Sequence, residues 1–407
     1  MTDLPAADAG RQSVVLVRPV VVTGRPDWPT GPLPLRVEDL IASTVIRSSY
    51  FSPPCNRILY GTTESPTRWH LTVTPPSSGL FGLELLVPDP DGDPRSGLLV
   101  AHVATTADAQ LDLLRGAANR RGTGIAVPDL STRIQTFAVP DLQERTYTVA
   151  FRSTLEPLTT PPGIDPRLGW SPARSWLWQL ASRSTTSDYP PDPDYPDQPH
   201  TGTVVLSADW RGLVTRDGAA FVALRPDLGP DDPFLHYAQL YAHTTYLDAL
   251  LLGMVQKTSV DRMVLESAAA FDTPDMPRHL EQLEQRAARF RTIYWLRDAS
   301  THGHANTILN AYHAQHELPE RFTAVLSEIA DLGRIVQNRD AERIGAALGV
   351  LTIVGLPLGT ALEILQALGA NTVTDLAIAL TIAVATISAL LTTRTGRLLA
   401  RQIRRLK

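Results

Sequence analysis

Cysteine and lysine are almost missing from this chain of 407 residues, in which Cys55 is the one cysteine and Lys257 and Lys407 are the two lysines. A single cysteine cannot form a disulfide within the chain, which argues against a small secreted domain built on disulfides. With so little lysine there is no Walker A loop, and GxGxxG, GxSxG and HExxH motifs are missing too. Cys55 has no catalytic pattern around it. We therefore expect a protein that is not an enzyme and has no catalytic residue.

Charge is missing from two long stretches near the end of the sequence. Residues 344–362 and 376–393 contain no Asp, Glu, Lys or Arg. At about 1.5 Å per residue, each run would make a helix of roughly 27 Å, close to the ~30 Å hydrocarbon core of a bilayer. We expect two transmembrane helices within residues 344–393. The alternative is a pair of buried helices in a soluble core, since both runs are rich in alanine and threonine.

Acidic and basic residues are unevenly placed around these runs. Arg334, Arg339 and Arg343 precede the first run, and residues 394–407 carry six basic and no acidic side chains, although the whole chain has a net charge of −5. Because the cytoplasmic flanks of membrane helices collect Lys and Arg, both termini should be cytoplasmic. The expected localisation is that of a multi-pass inner-membrane protein with a basic cytoplasmic tail. The opening residues, MTDLPAADAGRQ, contain no apolar run, so we expect no signal peptide.

Residues 1–230 alternate between strand-like and helix-like patterns. Apolar runs of strand length occupy residues 13–22, 68–75, 80–87, 97–106, 145–154, 201–209 and 221–225. Helical spacing is found in residues 37–46, 106–121 and 172–184. The irregular alternation predicts an α+β fold, with a mixed α/β cytoplasmic domain in residues 1–230. Within it, residues 185–200 are rich in Pro and Asp and should form a flexible loop.

From residue 231 the pattern becomes helical, and we expect a helical stalk over residues 231–343. One helix should run from Asp232 to about Phe271, because Asp followed by Pro is a typical helix start. Two further helices carry apolar stripes at spacings of three and four residues, the first of them a coiled-coil-like seam. The stripes consist of Leu280, Leu283, Ala287, Phe290 and Tyr294, and of Phe322, Val325, Ile329, Leu332 and Val336. The last helix should continue into the first uncharged run.

This order of parts resembles the CorA superfamily of divalent-cation channels, which join a cytoplasmic α/β domain and a helical stalk to two C-terminal spans. The local match is LTIVGLPLGTALEILQALGAN, residues 351–371. In that family an LTI-type start is followed by a Gly-Met-Asn loop, and here Leu351 and Gly369 keep the family's separation between the two. The loop continues with Ala370 and Asn371, so alanine replaces the methionine of the family motif.

The resemblance implies an oligomeric cation channel or pore that is gated by its cytoplasmic domain. Gly369, Ala370 and Asn371 would form the loop at the pore mouth, and Mg²⁺ or another divalent cation would be the transported or regulatory ion. No other cofactor is implied. Small and polar residues at helical spacing, with one ionisable residue near the end of the span, are candidates for the pore lining. These are Thr352, Gly355, Gly359, Glu363 and Gln366. The alternative is that this stripe packs only against the second span of the same chain.

A second resemblance concerns residues 243–256 and 290–318, which are similar to CATRA proteins of bacterial conflict systems, found beside caspase-like and TPR-repeat proteins. It implies an alternative function, a non-conducting membrane adaptor or effector with caspase-like or TPR partners. Both hypotheses expect a membrane-bound homo-oligomer, and neither expects a nucleic-acid partner.

Four of the ten histidines are close together in the sequence: His302, His304, His313 and His316. His313 and His316 lie three residues apart on a predicted helix and therefore share a face, which would permit joint metal binding. No cysteine accompanies them, and Glu317 is the one adjacent carboxylate. We expect hydrogen bonds between helices here rather than a metal site.

Overall fold

The computed structural model divides the chain into two compact units, which we call the α/β unit and the helical unit. The α/β unit contains residues 1–265 and 285–324, and the helical unit contains residues 266–284 and 325–407. The expected boundary at residue 230 is displaced, because helices that follow it pack in the core of the α/β unit. The residues that the structure describes are 2–4, 10–37, 40–88, 96–118, 133–141, 144–270, 273, 275–295, 299–367 and 373–392.

A nine-stranded mixed sheet forms the centre of the described α/β unit. Its strands are β2 (Gln12–Val22), β5 (Arg68–Ser77), β6 (Leu80–Leu86), β7 (Ser96–Ala104), β8 (Ala138–Pro140), β9 (Tyr147–Arg152), β10 (Thr203–Val205), β11 (Trp210–Val214) and β12 (Gly218–Ala223). The order is β10-β11-β12-β9-β2-β7-β6-β5, with β8 beside the end of β2. Only β12 and β9 run parallel among these pairs. A small second sheet contains β1 (Thr2–Asp3), β3 (Leu35–Val37) and β4 (Leu40–Ala42).

Some of the described helices cover the two faces of the sheet, and others belong to the helical unit. They are α1 (Thr44–Ser49), α2 (Pro53–Leu59), α3 (Ala107–Ala118), α4 (Pro172–Ser182), α5 (Pro233–His243), α6 (Thr245–Ala269), α7 (Met276–Arg289), α8 (Gly303–Gln315), α9 (Leu318–Val350), α10 (Leu356–Ala367) and α11 (Val373–Thr392). Short 3₁₀ turns occupy Pro166–Leu168, Gln198–His200 and Gly229–Asp231, and π-helical turns occupy Phe290–Tyr294 and Leu351–Gly355.

The central strand β2 explains how the sheet builds two cores. Its side chains alternate between faces, so Val14 and Leu16 join one apolar cluster while Val15 and Val17 join the other. Helices α3 and α4 cover the first cluster, and α2, α5, α6 and α8 cover the second. A strand that is buried on both faces reads as a nearly continuous apolar run, which is what its sequence shows.

The predicted α+β class and all seven predicted strands are confirmed, although β10 is short. The strands β8 and β11 of the large sheet and the three strands of the small sheet were not predicted. The helix expected at residues 37–46 is wrong. This segment instead contains the end of β3, then β4 and the start of α1. Leu35 and Ala42 pack there with Phe81 and Leu240 in a small apolar cluster of their own, so tertiary packing overrides the local helical spacing.

The single helix expected from Asp232 to Phe271 is two helices. Asp232 caps the first as predicted, since its carboxylate accepts a hydrogen bond from the backbone N–H of Leu235 at 3.1 Å. The chain then breaks at Thr244, which has φ −129° and ψ −98°. The Thr244 carbonyl accepts the backbone N–H of Asp248 at 2.7 Å and so starts α6.

The Pro- and Asp-rich segment 185–200, expected as a flexible loop, is tied to the neighbourhood of α4. The Trp170 indole N–H donates to the carbonyl of Pro196 at 2.9 Å, and Arg174 pairs with Asp197 at 2.6 Å. The His200 ring meets the Trp170 ring edge-on, with centroids 4.6 Å apart. These contacts lie at the end of the segment, next to the start of β10.

The two expected transmembrane helices are wrong. Over the described residues, no helix combines the length and apolar character that crossing a membrane requires. The first run, residues 344–362, is divided between α9, the π-helical turn and α10. Residues 376–392 of the second run lie in α11, a helix whose sequence also contains four threonines, one serine and Asp375. The expected multi-pass localisation in the inner membrane, with both termini cytoplasmic, is withdrawn with the spans.

Candidate functional site

The predicted pore-lining residues fall in the π-helical turn Leu351–Gly355 and in α10. All five are exposed: Thr352, Gly355, Gly359, Glu363 and Gln366. The Thr352 hydroxyl donates a hydrogen bond to the backbone carbonyl of Leu348 at 2.8 Å, within its own helix. The predicted loop residues Gly369, Ala370 and Asn371, and the basic tail, lie outside the described residues.

The helical unit exposes large apolar side chains along the same helices. Side chains that are 54% to 67% exposed belong to Ile344, Leu348, Leu351, Leu356, Leu362, Ile378, Leu380, Ile382 and Val384. Helices α10 and α11 pack against each other, and Ala383 is only 2% exposed. A Cβ atom built on Gly345 or Gly359 would meet no described atom within 4 Å. We call this set of exposed side chains and the two open glycines the apolar helical surface.

The α/β unit buries a charged network between its sheet and α6. Arg47 at the end of α1 forms a two-pronged ion pair with Asp248 of α6, at 2.8 and 2.6 Å. Arg68 of β5 contacts the same carboxylate at 2.7 Å and also pairs with Glu84 of β6. The Tyr60 hydroxyl donates to Asp248 at 2.8 Å. Two cations thus face two anions, and each of the four charged side chains is at most 1% exposed.

A chain of hydrogen bonds extends this buried ionic network to β2. His102 Nε2 lies 3.1 Å from Glu84 Oε1, the Nδ1 atoms of His102 and His243 are 3.0 Å apart, and His243 Nε2 lies 2.7 Å from Ser13 Oγ. With Glu84 ionised, a singly protonated His102 carries its proton on Nε2, which donates to the carboxylate. His243 must then donate from Nδ1, and its Nε2 accepts the hydroxyl proton of Ser13. The arrangement therefore has one direction, from Ser13 to Glu84.

Burial and charge pairing set the protonation states in the network. Burial raises the pKa of Glu84 and of Asp248, but the neighbouring arginines outweigh it, so both pKa values lie below the ordinary range. Burial, reinforced by His102, lowers the pKa of His243 well below its ordinary value, so this imidazole is neutral. Ser13 is 1% exposed, and the network joins α1, α5 and α6 to the sheet without presenting the hydroxyl to solvent.

Sequence patterns singled out none of these residues, although one signal was present. Glu84 interrupts the apolar strand LFGLELLV, and His102 interrupts GLLVAHVA. Asp248 likewise interrupts the apolar helix segment YLDALLL. A charged residue inside an apolar run is expensive to bury unless it is paired, so such positions predict a partner elsewhere in the chain. They do not predict which partner.

The four clustered histidines are divided among different surroundings. His302 and His304 have ring centroids 5.7 Å apart, and the His302 ring also meets Tyr50 edge-on at 5.4 Å. His313 Nε2 lies 2.6 Å from Gln256 Oε1. His313 also stacks on Trp295, while His316 lies against Tyr312. Among the described residues, no group of three or more His, Cys, Asp or Glu side chains has the geometry to hold a metal ion.

The sole cysteine, Cys55 of α2, is fully buried in the larger apolar cluster. Burial raises the pKa of its thiol, and a hydrogen bond with Ser52 offsets this in part. The side chain is therefore a neutral thiol in an apolar surrounding, which is the behaviour of a small core residue.

Comparison with known proteins gives no relative: no protein-family model, no curated protein and no solved structure matches this chain. The similarities to CorA channels and to CATRA proteins are therefore supported only by the residues that suggested them.

Proposed function

We propose that this protein is a non-enzymatic adaptor that works as an assembly of its own copies, joined through the apolar helical surface. The observation that carries the proposal is the exposure of nine large apolar side chains at 54% to 67% each. Soluble monomers seldom expose large apolar patches, and such patches mark surfaces that another molecule covers. The cation-channel hypothesis required both spans, and we do not carry it forward.

Burial of this surface contributes enough free energy to drive association. Complete burial of a leucine or isoleucine contributes about 1.5 to 3 kcal/mol, so side chains that are already part-buried contribute about 1 to 2 kcal/mol each. Five or six of them on each of two copies would offset an association cost on the order of 10 kcal/mol. Gly345 and Gly359 lack a described neighbour within 4 Å and would let a second helix approach closely. Partners of the caspase-like or TPR kind stay a proposal that the second resemblance suggests.

Sedimentation velocity of the full chain at several concentrations tests self-assembly. The wild-type protein should sediment as an oligomer, and the double variant Leu348→Glu/Leu351→Glu should shift it to the monomer, because two carboxylates cannot be buried unpaired in an apolar interface. The matched control is Val45→Glu, at a side chain that is 78% exposed on α1 of the α/β unit. This control should leave the oligomer unchanged.

Two results would overturn the proposal. A wild-type chain that stays monomeric at tens of micromolar has no need of the apolar helical surface for assembly. Dissociation by Val45→Glu as complete as that caused by the double variant would place the interface elsewhere. Monodisperse sedimentation of each sample separates a defined oligomer from aggregation.

A further inference from the structure

A cavity of about 400 Å³ lies in the α/β unit, beside the middle of α6, whose first turn carries Asp248 of the buried ionic network. Its apolar side is formed by Val17 and Pro19 of β2, Leu98 of β7 and Met254 of α6. Ligand pockets commonly occupy roughly 300 to 1,000 Å³ and combine an apolar lining with a few polar groups. This cavity therefore has the size and the apolar surface that a small ligand requires.

One wall of the cavity is aromatic. Tyr147 and Tyr312 meet edge to face with ring centroids 5.6 Å apart, and the His316 ring lies 4.3 Å from that of Tyr312. Tyr312 is held against α6 by Gly253, where an added Cβ atom would lie only 2.6 Å from the Tyr312 ring. Aromatic faces and edges favour a planar ring as their neighbour.

The charged side chains of the cavity leave a positive excess. Asp217 is shared by Arg183 at 3.1 Å and Arg145 at 3.5 Å. Asp261 is likewise shared, by Lys257 at 2.8 Å and by Arg321. Of the charged residues that line the cavity itself, three are cationic and two are acidic: Arg145, Arg216 and Lys257 against Glu144 and Asp217. In an acidic protein, this is a local preference for an anionic group.

His316 adds a hydrogen-bonding position at the same place. Its Nε2 atom is buried and has no hydrogen-bond partner among the described residues. Burial, together with the positive charge of Lys257 and Arg216, lowers the pKa of His316 to about 4, so the ring is neutral at pH 7. A buried, unpaired nitrogen costs free energy that a polar atom of a ligand would recover.

We propose that this cavity binds a small molecule that joins a planar ring to one phosphate group, as a nucleoside monophosphate does. The ring lies between the apolar side and the tyrosine wall, and the phosphate lies against Arg145, Arg216 and Lys257. Arginine and lysine side chains both suit phosphate oxygens. This proposal does not depend on self-assembly, since every residue it uses belongs to the α/β unit.

The scarcity of lysine provides a site-specific test. Reductive methylation with ¹³C-formaldehyde keeps the lysine charge and gives each of the two lysines, Lys257 and Lys407, its own NMR signal. The variant Lys407→Arg assigns them. Titration with adenosine 5′-monophosphate should shift the Lys257 signal to saturation, at a concentration at least about tenfold lower than inorganic phosphate or adenosine requires. The Lys407 signal should show no saturable shift.

Two variants test whether the nucleotide binds in this cavity. Arg216→Gln should weaken the nucleotide's affinity about tenfold, because it removes one cation from the phosphate. The control Arg115→Gln removes an arginine that is 46% exposed in an ion pair on another part of the α/β unit, and it should leave the titration unchanged. A Lys257 signal that millimolar nucleotide does not move would overturn the proposal. So would an equal response to phosphate or adenosine alone, or equal weakening by Arg115→Gln.

Discussion

The α/β unit buries charged side chains, whereas the helical unit exposes apolar ones. In the α/β unit, Arg68 and Glu84 are wholly buried and pair with each other. In the helical unit, Leu348 and Leu351 are 58% and 67% exposed. The buried charges of the network pair with one another within one chain. The exposed leucines have no comparable cover in the described helical unit, and this difference is why we assign assembly to that unit.

The buried ionic network contributes more to the arrangement of the α/β unit than to its stability. A buried ion network is often no more stabilising than apolar residues of equal volume, but it permits few alternative arrangements once it has formed. The network therefore fixes the position of α1 and α6 on the sheet, and with α6 one side of the proposed ligand cavity.

Lowering the pH should have the largest effect, because it should destabilise the α/β unit, which contains the buried histidines. The pKa values of His200 and His313 are lowered to about 4, and that of His243 lies well below its ordinary value, in each case chiefly through burial. The unfolded chain, with histidine pKa values near 6.5, then binds more protons below that pH. Stability is complete above about pH 6.5 and should fall by about 1.4 kcal/mol per pH unit for each of these histidines as the pH falls toward 4.

The measurement is urea unfolding between pH 7 and 5, followed by tryptophan fluorescence, because all seven tryptophans lie in the α/β unit. His200→Phe provides the control, since neither His200 ring nitrogen has a hydrogen-bond partner among the described residues. This variant should reduce the dependence of the unfolding free energy on pH by about 1.4 kcal/mol per pH unit, the contribution of one histidine. An unfolding midpoint that is independent of pH across this range would contradict the expected protonation states.

Removing one charge from the buried ionic network should have the next largest effect. In Asp248→Asn, the amide nitrogen cannot accept from Arg47 or Arg68, and two buried guanidinium groups are left with one carboxylate. We expect a loss of about 3 to 5 kcal/mol in unfolding free energy, measured by urea titration at pH 7.5. The control Asp165→Asn breaks an exposed pair with Arg167 and should change stability by less than about 1 kcal/mol. Equal losses of stability in Asp248→Asn and Asp165→Asn would mean that water reaches the buried ionic network.

Sequence reasoning predicted the sheet well because strand patterns are local. β2, β5, β6 and β7 carry apolar runs whose ends are marked by turns, such as the Ser78-Gly79 hairpin, where both residues have positive φ. The order of the strands was not predicted, since β9 pairs with β2 from a distant part of the sequence. The break at Thr244 was also missed, since the sequence there contains no proline or glycine to mark it.

The proposed sites were harder to predict for the same reason. Asp248 is one acid in an apolar helix, and only folding brings Arg47 and Arg68 to it. The ligand cavity combines β2, β7, the turn before β12 and helices α6 and α8. The wrong prediction of membrane spans has a different origin, since the length of a charge-free run does not reveal an interruption such as the π-helical turn Leu351–Gly355.

Cutting the hydrogen-bond chain at its neutral end should have a smaller effect than removing a charge. Ser13→Ala takes the hydroxyl donor from His243 Nε2 and leaves that buried nitrogen unpaired. We expect a loss of about 1 to 3 kcal/mol. Thr154→Ala, which removes an exposed hydroxyl bond to the carbonyl of Glu156, is the control with an expected loss below about 1 kcal/mol. If Ser13→Ala is as stable as the wild type, the hydrogen bond between Ser13 and His243 does not contribute to stability.

The smallest effect on unfolding should come from shortening an exposed leucine of the helical unit. Leu348→Ala shortens a side chain that is 58% exposed, whereas Leu250→Ala shortens one that is 0% exposed in α6. Unfolding of the α/β unit, followed by tryptophan fluorescence, should change by less than about 0.5 kcal/mol in Leu348→Ala and by about 2 to 5 kcal/mol in Leu250→Ala. Sedimentation should show the reverse order, because Leu348 lies on the apolar helical surface and Leu250 does not. A Leu348→Ala protein that loses tryptophan-detected stability while keeping its oligomer would show that this leucine supports the fold, and the contrast between the two units would then fail.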